Sequence, residues 1–122
     1  MIVWIIGLAG SGKTTIGTQL CNNLKEANPA TVLVDGDEFR SICGGDLGHS
    51  LNDRKANSLR MIRFCSFLEA QEIDVVCCIL SMFPEHRQIC RSNFKRYFEI
   101  FVDVPIKELI RRDQKGLYSK AI

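Results

Sequence analysis

The stretch Gly7-Leu8-Ala9-Gly10-Ser11-Gly12-Lys13-Thr14 decides the fold, because it matches the pattern G-x-x-x-x-G-K-[ST] of a phosphate-binding loop. The β-branched, apolar residues 2–6 precede it and predict a buried parallel strand, and residues 13–27 predict a helix. Glycines let successive backbone N–H groups converge on phosphate oxygens, and a helix N-terminus adds its positive end. The alternative is a glycine-rich turn with an incidental lysine. Strand, loop and helix in this order favour binding of a nucleoside triphosphate.

The composition predicts one soluble domain. The 122 residues are 46% hydrophobic and 25% charged, which suffices for one core. The net charge of +2 is too small to argue for a nucleic-acid partner or an anionic membrane surface. The longest apolar run, residues 75–80, is too short to span a bilayer, and the N-terminus lacks the basic region of a signal peptide. We therefore expect a cytoplasmic protein with no membrane or nucleic-acid partner.

The six cysteines predict reduced core residues rather than disulfides, because most fall within predicted helices or strands. Cys77 and Cys78 are adjacent on a predicted central strand. The chain has no C-x-x-C pair and only two histidines, so we do not expect a structural zinc site.

Apolar runs alternate with helical patterns along the chain. Further strands are predicted at residues 31–34, 75–80 and 99–104. Helices are predicted at residues 51–71 and 84–97, as a short turn from Glu38, and from Pro105 onward. This alternation predicts an α/β fold of three layers, αβα, with a parallel sheet of about four strands. Ligands then bind beyond the carboxyl ends of the strands, where the phosphate loop, Asp35-Gly36-Asp37 and Ser81 all lie.

The acidic residues after the second predicted strand are candidates for catalysis. A carboxylate at Asp37 can bind Mg²⁺ through water or accept a proton from an attacking hydroxyl. The alternative is that both aspartates only form the turn, and this alternative is stronger for Asp35 than for Asp37. Ser81 can donate to a phosphate or act as a nucleophile, and a plain serine at a strand end is an equal alternative.

Arginines follow this turn and suit a second, anionic substrate, because guanidinium groups bind such oxyanions bidentately. For Arg60 and Arg63 a solvated helix face is an equal alternative. The arginines are Arg40, Arg54, Arg60 and Arg63.

Several segments occur in order along nearly the whole chain: Gly7 to Thr15, Asp35-Gly36-Asp37 with Arg40, Asp46-Leu47-Gly48-x-Ser50, Asp53-Arg54-x-x-Asn57, Ser81 and Arg112-Asp113-x-Lys115-Gly116-Leu117-Tyr118. Taken together, these segments resemble the adenylylsulfate kinase (APS kinase) family. The resemblance implies a P-loop kinase fold and transfer of the γ-phosphoryl group of ATP to the 3′-hydroxyl of adenosine 5′-phosphosulfate, a reaction of sulfate assimilation.

The resemblance also implies roles for individual residues, with ATP and Mg²⁺ as cofactors. The expected catalytic residues are Lys13, Asp37 and Ser81, and the expected metal ligands are Thr14 and Asp37. Ser81 matches a serine to which the family assigns a phosphoserine intermediate, whereas direct in-line transfer needs only positioning and charge stabilisation. The expected ATP-binding residues are Gly7, Leu8, Ala9, Gly10, Ser11, Gly12, Lys13, Thr14, Thr15 and Arg112. The expected acceptor-binding residues are Asp37, Arg40, His49, Arg54, Asn57, Leu80, Ser81 and Lys115.

The chain departs from the family pattern in three places. His49 stands where the family has a Phe or Tyr that stacks on the acceptor base, and Ser119 stands where a basic residue is common. The sequence also stops at Ile122, before the rest of the family's lid and its last edge strand. We therefore expect residues 1–122 to form a single P-loop kinase domain that lacks part of the lid and the C-terminus.

Two alternative functions remain open. A changed stacking residue favours a changed base, so the acceptor can instead be a cytidine diphosphate derivative, such as cytidine diphosphoramidate, in capsule biosynthesis. The missing lid favours a nucleotide-binding module without transferase activity. In each reading the partner is a small nucleotide, and one candidate assembly is a homodimer.

Overall fold

The computed structural model of the chain describes residues 1–8, 10–80 and 83–112. Its strands are β1 (Ile2–Ile6), β2 (Thr31–Asp35), β3 (Asp74–Ile79) and β4 (Tyr97–Phe101). Its helices are α1 (Lys13–Ala27), α2 (Gly36–Ile42), α3 (Leu51–Glu69), α4 (Pro84–Asn93) and α5 (Ile106–Arg112).

The strands form one parallel sheet in the order β2-β3-β1-β4. Strand β1 pairs with β3 from Ile2↔Val75 to Ile6↔Ile79, and both are buried along nearly their whole length. Continuous apolar runs of this kind suit central strands that are covered on both faces. The expected α/β fold with a parallel sheet of about four strands is confirmed.

Helices cover both faces of the sheet, as alternate residues of β1 show. Ile2, Trp4 and Ile6 pack with Met61 and other residues of α3 and α4 on one face. Val3 and Ile5 pack with Cys21 of α1 on the other. Period-two alternation in a strand sends successive side chains to opposite faces, so the three-layer arrangement follows directly. No helix within the described ranges has both the length and the apolar character that a bilayer span needs.

The cysteines are free thiols, and all but Cys43 are buried, so the expectation of reduced core residues is confirmed for five of the six. Cys43 lies exposed at the C-terminal end of α2.

Several element boundaries differ from the sequence prediction. The helix predicted to reach residue 97 ends at Asn93, because the buried Phe94 leaves the helical conformation and stacks near Tyr97 at 5.7 Å between ring centroids. Tyr97 then opens β4 by pairing with Ile2, so this strand spans 97–101 instead of 99–104. Helix α2 begins at Gly36, two residues earlier than predicted, because the Asp35 side chain caps it.

The carboxyl ends of the strands meet at one edge of the sheet, as expected. The phosphate loop follows β1, Asp35 ends β2, and Leu80 follows β3. The predicted site residue Ser81 lies outside the described residues. This edge therefore carries the chemically suggestive side chains that the structure describes.

Candidate functional site

The phosphate loop joins β1 to α1 and depends on glycine at defined positions. Gly10 and Gly12 have φ values of 81° and 92°, in the left-handed region that other residues rarely adopt. A Cβ atom at Gly7 would lie 2.5 Å from the Ser11 Oγ, so the loop folds closely over itself. Helix α1 begins at Lys13 after Gly12, which has no side chain to cap it. Its first backbone N–H groups therefore point toward the loop, where phosphate oxygens can accept from them.

Lys13 and Thr14 carry the charge and the hydroxyl of this loop. The Lys13 Nζ lies 3.4 Å from the Leu8 carbonyl oxygen, so the ammonium group folds back across the loop. The Thr14 Oγ1 lies 3.5 Å from the Asp35 Oδ1. This arrangement joins the phosphate loop to the end of β2.

The two carboxylate oxygens of Asp35 have different neighbours. Its Oδ2 accepts hydrogen bonds from the backbone N–H groups of Asp37 at 3.1 Å and Glu38 at 3.2 Å, which fixes the start of α2. Its Oδ1 remains on the side of Thr14. A hydroxyl and a carboxylate oxygen are hard ligands of the kind that Mg²⁺ prefers. The sequence assigned the metal to Thr14 and Asp37, and the structure adds Asp35, whose Oδ1 lies beside the Thr14 hydroxyl.

Cys78, on β3, contacts the backbone where the phosphate loop meets α1, and the sequence did not indicate this contact. Its thiol lies 3.4 Å from the Lys13 carbonyl oxygen, and burial raises its pKa to about 11, with Asp35 adding to the effect and Lys13 opposing it. A Cβ atom at Gly17 would lie 2.4 Å from the Cys78 Sγ. Gly17 therefore lets α1 approach β3 closely, and a glycine inside a helical pattern was the available signal.

A cleft lies beside the phosphate loop at the same edge of the sheet. Leu80 separates the two, since it lines the cleft and also a cavity formed with Gly7, Leu8 and Ser11. Five of the predicted acceptor residues line the cleft, together with residues that the sequence did not single out. The predicted ones are Asp37, Arg40, Arg54, Asn57 and Leu80, and the others are Gly36, Ser58, Ile79 and Phe83.

Two arginines and one carboxylate set the charge of the cleft. The Arg40 NH2 atom donates to the Asp37 Oδ1 at 2.7 Å, an ion pair three residues apart on α2. Arg54, on the first turn of α3, donates from Nε to the His49 carbonyl oxygen at 2.9 Å. Two guanidinium groups thus converge with one carboxylate, and the positive excess suits an anionic ligand.

His49 contacts both arginines of the cleft, although it is not itself among the residues that line the cleft. Its Nδ1 is 3.3 Å from the Arg40 NH1 and 3.4 Å from the Arg54 NH2, and its Nε2 is 3.4 Å from the Arg40 NH2. Guanidinium groups only donate, so whichever ring nitrogen carries no proton accepts from them. Ser50, the next residue, caps α3: its Oγ accepts from the Asp53 backbone N–H at 3.2 Å.

Asn57 lines the cleft and carries an unsatisfied polar atom. The residue is 7% exposed, and its Nδ2 donates to the Gly36 carbonyl oxygen at 3.4 Å. Its buried Oδ1 has no hydrogen-bond partner among the described residues. Leaving a buried acceptor unpaired costs about 1–3 kcal/mol, so a ligand N–H or O–H group is expected to bind there.

Other predicted residues lie apart from the cleft or outside the described part. The guanidinium of Arg60 forms a bidentate pair with Asp46, with both N–O distances 2.8 Å, and these bonds hold the pKa of Asp46 below its usual value. Arg63 is exposed on α3. Ala9 and Lys115 lie outside the described residues, as Ser81 does. The structure describes Arg112 only as the last residue of α5.

Sequence reasoning missed several wall residues. Phe83 had a signal, since an aromatic residue just after a strand end lies where ligands bind in such sheets. Ser58 had none, because a single serine within a long predicted helix does not indicate that it lines a cleft. Asp35 was recognised but ranked below Asp37.

The family model described as adenylylsulphate kinase matches residues 1–122 of the chain. Among curated proteins, the cytidine diphosphoramidate kinase of Campylobacter jejuni is 44% identical over 124 residues, which is 99% of this chain and 71% of that protein. The adenylyl-sulfate kinase of Pseudomonas aeruginosa is 37% identical over 122 residues, and the match covers 98% of this chain and 62% of that protein. The chain thus spans less than two thirds of this second relative.

A solved structure supports the same comparison. The Mycobacterium tuberculosis APS kinase in complex with AMPPNP and APS superposes with a TM-score of 0.84 at 35% identity. The superposition covers 98% of this chain and 71% of that one.

Proposed function

The chain belongs to the adenylylsulphate kinase family, a family of phosphotransferases, and we propose that it transfers the γ-phosphoryl group of ATP to the 3′-hydroxyl of a small nucleotide. The observation that carries the proposal is the pair of neighbouring sites: a phosphate loop, and a cleft with two guanidinium groups on the other side of Leu80. One binds the donor and the other the acceptor. Phosphoryl transfer needs little else from a protein than positioning of the two substrates and stabilisation of charge.

The donor side is proposed to work through the loop backbone, Lys13, Thr14 and Asp35. Backbone N–H groups and Lys13 hold the phosphates and stabilise the charge that develops on the transferred group. Thr14 and Asp35 would hold Mg²⁺, since their oxygens already lie 3.5 Å apart. Bound Mg²⁺ supplies neutralisation of charge on the donor phosphates.

The acceptor side is proposed to work through Asp37, Arg40, Arg54 and Asn57. Both arginines can bind the anionic group of the acceptor, and Asn57 offers an acceptor atom to an N–H or O–H group. Asp37 can hold the acceptor hydroxyl or take its proton, and it forms an ion pair with Arg40. Asp35 is a second candidate for the proton-accepting carboxylate.

The first candidate acceptor is adenosine 5′-phosphosulfate. The family description supports it, as do the relatives from Pseudomonas and Mycobacterium, the latter solved with APS bound. The residues Asp37, Arg40, Arg54 and Asn57 also match the family pattern and line one cleft.

The second candidate acceptor is cytidine diphosphoramidate. It is supported by the 44% identity to a kinase named for that compound and by His49, which contacts two arginines of the cleft. The imidazole of His49 is smaller than the Phe or Tyr ring that the family pattern has at this position. A smaller ring suits a pyrimidine better than an adenine, because stacking energy grows with overlapping surface.

ADP release tests the proposal. The protein in its full natural length is incubated with ATP and Mg²⁺, with adenosine 5′-phosphosulfate, with cytidine diphosphoramidate, or with neither. Stimulation by one acceptor supports the transferase and identifies the acceptor. If neither compound changes the rate of ADP release, the result would favour the nucleotide-binding module without transferase activity, or a different acceptor. The oligomeric state stays a prediction and is measured on the same sample by light scattering.

A further inference from the structure

His86 lies directly behind the wall of the acceptor cleft. It is on the first turn of α4 and only 2% exposed. Its Nδ1 is 2.9 Å from the Ser58 Oγ, and its ring centroid is 4.9 Å from that of Phe83. Ser58 and Phe83 both line the cleft, whereas His86 does not. One buried imidazole therefore contacts two wall residues from two different elements.

The contact with His86 determines which way the Ser58 hydroxyl proton points. A serine inside a helix ordinarily turns its hydroxyl toward the carbonyl four residues earlier. Here the imidazole offers a partner across the helix interface. If Nδ1 accepts the hydroxyl proton, the lone pairs of Oγ are left for other donors. Ser58 then offers a second acceptor atom in the cleft wall beside Asn57, whose Oδ1 has no partner among the described residues.

The surroundings of His86 keep the ring neutral near pH 7. Burial lowers the pKa of His86 below its usual value of 6.5, Glu85 on the same helix opposes this, and Lys55 on α3 adds to it. A neutral imidazole can accept at Nδ1, whereas a protonated one must donate there.

We propose that His86 is a positioning residue for the acceptor nucleotide, which it serves by orienting the Ser58 hydroxyl and supporting the Phe83 ring. The inference rests on the proposed function in that the acceptor binds in this cleft. The recognised group is an N–H or O–H donor of the nucleotide, such as an exocyclic amine or a sugar hydroxyl. When His86 is protonated, its Nδ1 carries a proton and donates to the Ser58 Oγ. The Ser58 hydroxyl proton then turns away from Nδ1 and meets the N–H or O–H donor of the nucleotide, so the acceptor nucleotide binds more weakly.

Substitutions at His86 and at its neighbours distinguish the positioning role of His86 from a role in core packing alone. His86→Leu removes the hydrogen bond, whereas His86→Asn keeps a polar atom at the same distance from the backbone. Ser58→Ala removes the hydroxyl from the cleft side and serves if His86→Leu does not fold. Cys90→Ala, one turn further along α4, is the packing control, because Cys90 is fully buried and does not line the cleft.

Calorimetry supplies a readout that does not depend on turnover. Each variant of the full-length protein is titrated with adenosine 5′-phosphosulfate, with cytidine diphosphoramidate and with a non-hydrolysable ATP analogue. We expect His86→Leu and Ser58→Ala each to weaken acceptor binding about fivefold, with the double variant no weaker, because one hydrogen bond is involved. His86→Asn should stay within about twofold of the natural protein, and the affinity for the ATP analogue should not change in any variant. Cys90→Ala should lower the melting temperature and leave the affinities for all three ligands unchanged.

The pH dependence adds a second readout. Between about pH 7.5 and about pH 5.5 the natural protein should lose acceptor affinity, and His86→Asn should lose less of it. If the protein binds and phosphorylates an acceptor but the His86 and Ser58 variants bind it normally, the inference is wrong and the proposed function stands. If a nucleotide binds in the His86-dependent manner without being phosphorylated, the proposed function is wrong and the inference stands. If neither nucleotide binds, both are wrong.

Discussion

Replacement of Asp35 with asparagine is expected to lower kcat by about 10²-fold or more and to leave the fold intact. In the natural protein one carboxylate oxygen of Asp35 accepts from two backbone N–H groups of α2, and the other lies 3.5 Å from the Thr14 Oγ1. An asparagine has one acceptor oxygen, which these backbone groups will take. Its NH₂ group then faces Thr14, and an NH₂ group cannot ligate a cation.

The cost to stability should be small, because asparagine caps a helix about as well as aspartate does. The loss of a negative charge at the N-terminus of α2 costs about 0.3–1 kcal/mol. For a domain of this size that lowers the melting temperature by about 1–6 °C. A large loss of turnover with a small thermal shift therefore assigns the effect to the site rather than to the fold.

Asp37→Asn is the matched control, two residues away. It breaks the ion pair with Arg40 and should raise the KM of the acceptor with a smaller effect on kcat. The sequence alone predicted the opposite order for kcat, with Asp37 as the more important carboxylate. Initial rates of ADP release at varied ATP, acceptor and Mg²⁺ give both constants for each variant. A kcat for Asp35→Asn within about threefold of the natural value, or a larger kcat loss for Asp37→Asn, would refute the reasoning.

Four further predictions follow from the same geometry. Lys13→Ala should abolish phosphoryl transfer at an unchanged melting temperature, since a lost charge clamp costs several kcal/mol of transition-state stabilisation; turnover within about threefold of natural contradicts this. Arg54→Lys should raise the acceptor KM at least about tenfold and leave ATP affinity unchanged, because lysine lacks the bidentate fork of arginine. Calorimetry with each ligand measures this, and a loss of affinity confined to ATP would place Arg54 on the donor side. His49→Phe should keep or improve binding of adenosine 5′-phosphosulfate if that is the acceptor, and should weaken the natural acceptor if that is a cytidine compound; competition between the two measures it. The unfolding free energy should fall as pH drops below about 6.5, because the unfolded chain binds a proton that buried His86 resists; His86→Asn should flatten this part of a denaturant-based pH profile.

Most of the fold followed from the sequence, because its signals are local. The limits of β1 and α1 were predicted to the residue, since a strand, a glycine loop and a helix follow each other without a gap. A long helix was predicted from residue 51, and α3 begins at Leu51, with Ser50 as its cap. The error at α4 came from tertiary contacts: Phe94 is buried in the core and Tyr97 pairs with β1, which no periodicity within the segment reveals.

The candidate site divides in the same way. The residues of the phosphate loop were found because their spacing is fixed within one segment. Asp37, Arg40, Arg54 and Asn57 were grouped through the family resemblance, and the structure brings them into one cleft. The contact of Thr14 with Asp35 and that of His86 with Ser58 join residues 21 and 28 positions apart. Contacts between elements depend on the packing of the sheet and its helices, so sequence spacing does not predict them.

The most direct test of the account is whether phosphate moves from ATP to a nucleotide 3′-hydroxyl. The protein in its full natural length is given γ-labelled ATP and Mg²⁺ with equal concentrations of adenosine 5′-phosphosulfate and cytidine diphosphoramidate, and the labelled products are identified by mass. The account predicts one labelled 3′-phosphorylated nucleotide, absent from the Lys13→Ala variant, and its identity names the acceptor. If label appears only in inorganic phosphate, at a rate that neither nucleotide changes, the account is contradicted.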